Sequence, residues 1–347
     1  MKKTIFALLL SLLPLFTCCS LDNQFLKEII SPYSTVNWST FGQYKTALHV
    51  HTTNSDGENS PNEMIEDHYI KGYDIIAITD HNYLTKSLTF DKGMLQIPNT
   101  IEQSYSEHLN SFFVDFINKN NSSLEGNIAQ VQALGGISHI NHPGRYTGGM
   151  LGGEDGSNAS NNKMNIDKYV NLFMKYSSCV GMEIINKKDN ESASDRILWD
   201  NILQKTISRN RFVWGFSNDD THRVGDTGYS YNVFIMSSNT TDNFKKAMIA
   251  GNFYAVAKVS KRELGDINTD GISPPVIKEI TVNNSDFSIT ITADNYSRID
   301  WISNGKFVIA GETIKIKEHE NIGSYVRANI IGSGGIAFTQ PFGLTLF

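Results

Sequence analysis

Short apolar runs that each empty into a cluster of histidines and carboxylates recur along this chain, and that recurrence restricts its fold more than any other feature. Asp74-Ile-Ile-Ala-Ile-Thr79 has the unbroken apolar centre of a strand buried on both faces, and it ends in Asp80-His81-Asn82. Ahead of it, Leu48-His-Val-His51 reads as another strand end. Alternate strand residues share a face, so His49 and His51 point the same way, about 7 Å apart. Ser55-Asp56-Gly57 then turns the chain and keeps a carboxylate beside the imidazoles. Taken alone, a His-x-His pair fits surface histidines as well as a ligand pair, so the rest of the chain must decide.

Between these strands, Ser60-Pro61-Asn62-Glu63 forms a capping box with proline at the first helical position. It predicts a helix that turns Met64, Ile65, His68 and Tyr69 inward and stops at Gly72; His68, on the apolar face, reads as structural. Strand, helix, strand is a βαβ unit, which puts His81 on the same rim as His49 and His51. The pattern continues. Glu102 precedes Ser106-Glu107-His108-Leu109-Asn110, which opens an apolar strand through Phe113 and Val114. A helix near Ile128 to Leu134 ends at Gly135-Gly136, and Ile137-Ser-His-Ile-Asn-His142-Pro143 follows. Gly181-Met-Glu-Ile-Ile185 is another buried strand; a helix from about Ser194 to Ser208 leads on to Arg211-Phe-Val-Trp-Gly-Phe216. That strand runs out into Ser217-Asn-Asp-Asp220-Thr-His222, and a further strand lies near Tyr231 to Met236. A set of about seven or eight such strands predicts a closed α/β barrel with its chemistry on one rim.

His49-Val-His51 with Ser55-Asp56-Gly57, Thr79-Asp80-His81, Glu102, His108-Leu-Asn, His142-Pro143 and Asp220-Thr-His222 resemble, in order and spacing, the motifs of the polymerase and histidinol phosphatase (PHP) family. The resemblance covers roughly residues 45 to 236. It departs from many relatives at Asn99-Thr-Ile, where a glycine is common two residues before the glutamate, and at Asp56, where some carry histidine. It implies a distorted (β/α)7 barrel and a trinuclear metal centre that hydrolyses phosphoesters. Carried over to this chain, it implies a first ion on His49, His51, Glu102 and Asp220, with Glu102 bridging to a second held by His108 and His142. Asp56, His81 and His222 would hold the third. His139, three residues before His142, is the competing ligand at that position.

Independently of the resemblance, imidazole and carboxylate donors without thiolate suit Zn²⁺, Mn²⁺ or Fe²⁺. Such a centre lowers the pKa of a shared water so that hydroxide is present near neutral pH. Arg145 and Arg223 stand directly beside ligand motifs and are the candidate clamps for phosphoryl charge, an ordinary surface arginine being the alternative for each. The expected substrate is a small phosphomonoester or phosphodiester. A non-catalytic, metal-stabilised binding module and a metal hydrolase of C–N or C–O bonds are the alternatives.

At 347 residues with 40% hydrophobic content, the chain has room for one large α/β domain and a small companion. A net charge of −6 without a basic run gives no electrostatic reason to expect nucleic acid binding. Lys2-Lys3 and the apolar run Ile5 to Phe16 read as a secretory signal, too short to span a bilayer. Leu15-Phe-Thr-Cys-Cys-Ser20 resembles a bacterial lipoprotein signal over residues 1–17, with Cys18, or alternatively Cys19, accepting the lipid. That implies an exported protein anchored to a membrane but not crossing it. Residues 18–44 read as a tether, 45–272 as the barrel, and the Gly-, Asn- and Ser-rich stretch 144–163 as a loop over the site. Pro274-Pro275 marks a boundary. Beyond it, the alternation in Phe287 to Ile291 and Ile314 to Lys317, with turns at Asn304-Gly305 and Gly332 to Gly335, predicts a small antiparallel β-sandwich over 273–347. Trp301 is a possible carbohydrate contact there.

Overall fold

The computed structural model describes residues 26–89, 92–119 and 121–346; the expected signal segment and Cys18 and Cys19 lie outside them. Five strands form one sheet in the order Thr100–Gln103, Leu109–Phe112, Ile137–Ile140, Cys179–Asn186, Trp214–Asn218. The first three are antiparallel and the last three parallel. A second, larger sheet contains Gly42–Ala47, paired in parallel with Ile75–Ile76 and antiparallel with Ser230–Met236. Two isolated bridges join the sheets: Val50 to Thr221 and His81 to Glu102. The seven segments Gly42–Ala47, Ile75–Ile76, Thr100–Gln103, Leu109–Phe112, Ile137–Ile140, Cys179–Asn186 and Trp214–Asn218 thereby follow one another around a ring. Both bridges involve residues next to expected ligands or the ligands themselves, so the seam of the ring is the site.

Helices connect the strands, and their caps set where they begin. Pro61–Ile70 begins on the expected capping box, with Ser60 Oγ accepting from Glu63 N and the Glu63 carboxylate accepting from Ser60 N at 2.7 Å. Met64, Ile65 and His68 are buried, whereas Tyr69, one step round the helix, is 37% exposed. His68 Nδ1 lies 2.7 Å from Met64 O, in keeping with a structural role. Among the described residues no helix is long and apolar enough to cross a membrane.

Other expectations fail for identifiable reasons. Residues 26–44 are not a bare tether: Leu26–Ile30 pairs antiparallel with Phe342–Leu346, burying Leu26 and Ile29. The register shifts between Leu26 and Glu28, so the two buried residues are three apart, and the period-two signal of a strand is lost. The stretch 144–163 is not a loop but carries the helices Gly144–Thr147 and Gly153–Ser160. Its glycines serve close approach: a Cβ on Gly156 would stand 1.8 Å from Leu151 O, and one on Gly144 would stand 2.6 Å from Asp195 Oδ1.

The boundary at Pro274-Pro275 does not separate the sheets. Gly335–Phe338 pairs with Phe253–Ala257 and with Tyr325–Gly332, so the large sheet runs from the ring into the strand-rich C-terminal region without a break. The remaining sheet, Val276–Asn283, Ser288–Asp294 and Thr313–Lys315, packs Ile277, Ile289, Ile291 and Ile314 into the same apolar cluster as Ile76, Val233 and Phe342. Trp301 belongs to that cluster and is fully buried, with Nε1 donating to Gly311 O at 2.9 Å, so no sugar can stack on it.

Candidate metal centre

His49, His51, His142 and Asp220 sit just past strand ends, Glu102 lies within Thr100–Gln103, and His108 directly precedes Leu109–Phe112. His142 and Asp220 have left-handed backbones, φ 26° and 51°. Residues other than glycine adopt that conformation at a cost, and the surroundings must impose it. Asp80, fully buried, ties the first motif together: its carboxylate accepts from Thr52 N (2.7 Å), Thr52 Oγ1 (2.8 Å) and Ser55 Oγ (2.8 Å), and from Thr85 Oγ1. Asp80 is therefore a loop brace, not a ligand.

Glu102 is the hub. Its carboxylate lies 3.2 Å from His49 Nε2, 3.3 Å from His51 Nε2, 2.9 Å from His81 Nδ1, 3.0 Å from His108 Nδ1 and 3.5 Å from His142 Nε2. Asp220 Oδ1 adds contacts of 3.3 Å to His49 Nε2 and 3.1 Å to His51 Nε2. Asp56, about half exposed, stands 3.5 Å from His81 Nε2 and 3.3 Å from His222 Nε2, on the open side. Burial would push the Glu102 carboxyl up, yet the imidazoles around it, His49 foremost, hold it well below the usual carboxylate range. Asp220 is held low in the same way. Burial opposes charging His51, but the carboxylates of Asp220 and Glu102 beside it raise it to about 9.

The nine side chains His49, His51, Asp56, His81, Glu102, His108, His142, Asp220 and His222 make overlapping groups whose donor atoms lie within 4.8 Å of one another. The groups are His51, Asp56, His81 and His222; His49, His51 and Asp220; His49, Glu102 and His142; and His81, Glu102 and His108. Within them His49 Nε2, His51 Nε2, His81 Nδ1, His108 Nδ1, Glu102 Oε2 and Asp220 Oδ1 are buried and make no hydrogen bond. Divalent cations would satisfy these atoms together, so the residues present fit metal ions. His139 stays outside every group, stacked on Phe216 at 4.6 Å.

The family comparison bears on the first half of this constellation. A family model described as the PHP domain matches residues 47–138, which hold His49, His51, Asp56, His81, Glu102 and His108. Over that stretch the chain is similar to the PHP domain. His142, Asp220 and His222 lie beyond the matched segment, and the fold brings them to the residues within it. Among solved structures, a two-domain protein from Bacteroides vulgatus containing a predicted PHP-like metal-dependent phosphoesterase is 15% identical, with a TM-score of 0.47 over 88% of this chain and 96% of that one. A lesion-specific endonuclease from Pyrococcus furiosus is 12% identical, with a TM-score of 0.37 over 60% of this chain and 56% of that one. An amidohydrolase from Chromobacterium violaceum is 13% identical, with a TM-score of 0.35 over 52% of this chain and 88% of that one. No curated protein matches the sequence.

Sequence reasoning missed Glu183. Its Oε1 lies 2.7 Å from His49 Nδ1 and accepts from Asn218 Nδ2; its Oε2 accepts from His142 N and Asn186 Nδ2. By engaging Nδ1 it turns His49 Nε2 toward the ligand groups. The available signal was a carboxylate inside the apolar run Gly181 to Ile185, since a buried charge requires partners. Lys187, past the end of the same strand, was also missed; its Nζ is 3.3 Å from Asp220 Oδ2. Of the expected clamps, Arg145 Nε donates to Glu191 Oε2 at 2.5 Å. Arg223, more than half exposed, donates to Asp226 Oδ2 at 2.8 Å.

Proposed function

We propose that this chain is a metal-dependent phosphoesterase of small phosphorylated substrates, working with three divalent ions drawn from Zn²⁺, Mn²⁺ or Fe²⁺. The observation that carries the reading is the convergence of the nine side chains around Glu102, with buried donor atoms left without hydrogen bonds. Ions bound there would supply a water-derived nucleophile near neutral pH and a seat for phosphoryl oxygens. The protein's own part is to fix the ligands and to leave one side open. Glu183 orients His49, Asp80 braces the first motif, and half-exposed Asp56 marks the entrance.

A cleft of about 400 Å³ adjoins that entrance, lined by Lys187, Lys188, Asp220, His222 and Arg223. Glu58, Asp219 and Asp226 share the lining, so the cleft is not a continuous basic groove. Together with the net charge of −6, this favours a small ester over a polymer. Metal-loaded protein should release phosphate from at least one of an aryl phosphate, an aryl phosphodiester, or sugar, glycerol and nucleoside phosphates. His51→Ala or Asp220→Ala should lower turnover by about 1000-fold or more. No release from any small ester by fully metallated protein would leave the binding module; faster cleavage of single-stranded DNA would overturn the substrate size, and turnover of amides alone would overturn the reaction class.

The segment Leu15 to Cys18 supports placing this centre outside the cytoplasm on a lipid anchor. In an acylating bacterial host, labelled fatty acid should enter the wild type and be lost on joint Cys18→Ala and Cys19→Ala substitution. An unlabelled wild type would remove the anchor.

A further inference from the structure

The strand Cys179–Asn186 is buried throughout and delivers Glu183 beneath the centre. Immediately after it, Lys187, Lys188 and Asp189 all adopt the left-handed conformation, with φ of 47°, 55° and 60°. Consecutive left-handed residues other than glycine are unfavourable and persist only where other contacts impose them. Here the imposing contacts are buried. Asp189 is fully enclosed; its Oδ1 and Oδ2 receive Arg196 Nη1 and Nη2 at 2.6 and 2.7 Å, a two-pronged pair. Ser192 Oγ and Lys261 N also donate to it, at 2.8 Å each. Arg196, itself buried, is held on its other edge by Glu263 at 2.9 Å.

The side chain this turn positions is Lys187. Its side chain is partly exposed and lines the cleft beside His222, with Nζ 3.3 Å from Asp220 Oδ2 and 3.9 Å from Glu191 Oε1. Its neighbours are engaged elsewhere. Lys188 Nζ lies 3.9 Å over the Tyr229 ring and 3.8 Å from Asp226, Arg223 is paired with Asp226, and Arg145 with Glu191. Among the cations lining the cleft, Lys187 is the one whose nearest carboxylate is a member of the ligand set.

We propose that Lys187 binds a phosphoryl oxygen of the substrate, in the place first given to Arg145 and Arg223, and that the Asp189–Arg196–Glu263 lock holds it in position. The assignment rests on the phosphoesterase reading. The test therefore reads phosphate binding separately from turnover, by calorimetric titration of Mn²⁺-loaded protein with inorganic phosphate and elemental analysis of the same samples. Lys187→Met is expected to weaken phosphate binding about 10-fold or more with metal content unchanged, as loss of a charge-assisted contact implies. Lys187→Arg should recover most of that loss, and Arg223→Met should stay within about 3-fold of wild type. Wild-type affinity in Lys187→Met overturns the assignment alone. Loss of metal in that variant also overturns it, because Lys187 would then act through Asp220. A wild type that binds no phosphate would overturn the phosphoesterase reading as well.

Discussion

His139 and His142 show how much three residues can separate in chemistry. The strand Ile137–Ile140 carries His139 into the interior, between the rings of Phe112 and Phe216, where burial pushes its pKa down to about 4. His142 lies past the strand end, and its φ of 26° swings the ring to Glu102. His139→Phe should therefore leave metal content unchanged and cost about 1–3 kcal/mol, because the larger phenyl ring must fit between aromatic neighbours. His142→Ala should lower the metal bound at a fixed micromolar supply. Elemental analysis of both variants decides: metal lost from His139→Phe would mean that this imidazole reaches an ion. The ligand set was legible because imidazoles and carboxylates stand out where apolar runs stop. Glu183 and Lys187 were not, since one is embedded in an apolar run and the other belongs to a dipeptide of ordinary surface type.

At the scale of elements, caps were readable and glycines were ambiguous. Ser60 and Glu63 announce their helix because few other arrangements use those residues at that spacing. The composition of 144–163 misleads because glycine signals a flexible loop and a tightly packed helix with the same letter. Gly156 separates the two meanings. In an exposed helix, Gly→Ala stabilises by about 1 kcal/mol. Here the added methyl would meet Leu151 O and Ser194 Oγ, so Gly156→Ala should instead destabilise by about 1–3 kcal/mol. Urea denaturation gives the sign, and a stabilised variant would return the segment to an open loop. The strand Leu26–Ile30 escaped notice for a different reason: its bulge erases the alternation by which strands are recognised.

For the molecule as a whole, the shared sheet matters more than the proline pair that interrupts the sequence. Phe253–Ala257 would lose its partner Gly335–Phe338 if the chain ended at 272, and Leu26–Ile30 would lose Phe342–Leu346. Arg327, buried in Tyr325–Gly332, also places Nη2 2.7 Å from Asp200 Oδ2 on the helix Asp195–Thr206. Removing one side of such a buried pair costs about 3–5 kcal/mol by itself. A protein truncated after residue 272 should therefore fail to unfold cooperatively, while the full chain unfolds in a single transition. Circular dichroism on heating would show it, and a sigmoidal melt from a soluble, metal-binding fragment would mean that the ring stands alone. The α/β class and a strand-rich end were legible because alternation and apolar runs are local. The continuity of the sheet was not, since pairing between distant strands leaves no local mark.

The pairing of Leu26–Ile30 with Phe342–Leu346 also sets a clock. Thr345 and Glu28, bonded side by side, are 317 residues apart in the chain. At about 5–20 residues per second, a ribosome makes the partner of the first strand roughly 15–60 s after the strand itself. Throughout that interval Leu26–Ile30 lacks its partner strand, and its backbone edge stays open to other chains. Among the described residues this pairing joins the strands farthest apart in the sequence, and its late arrival leaves the first strand open to misassembly while the chain is being made.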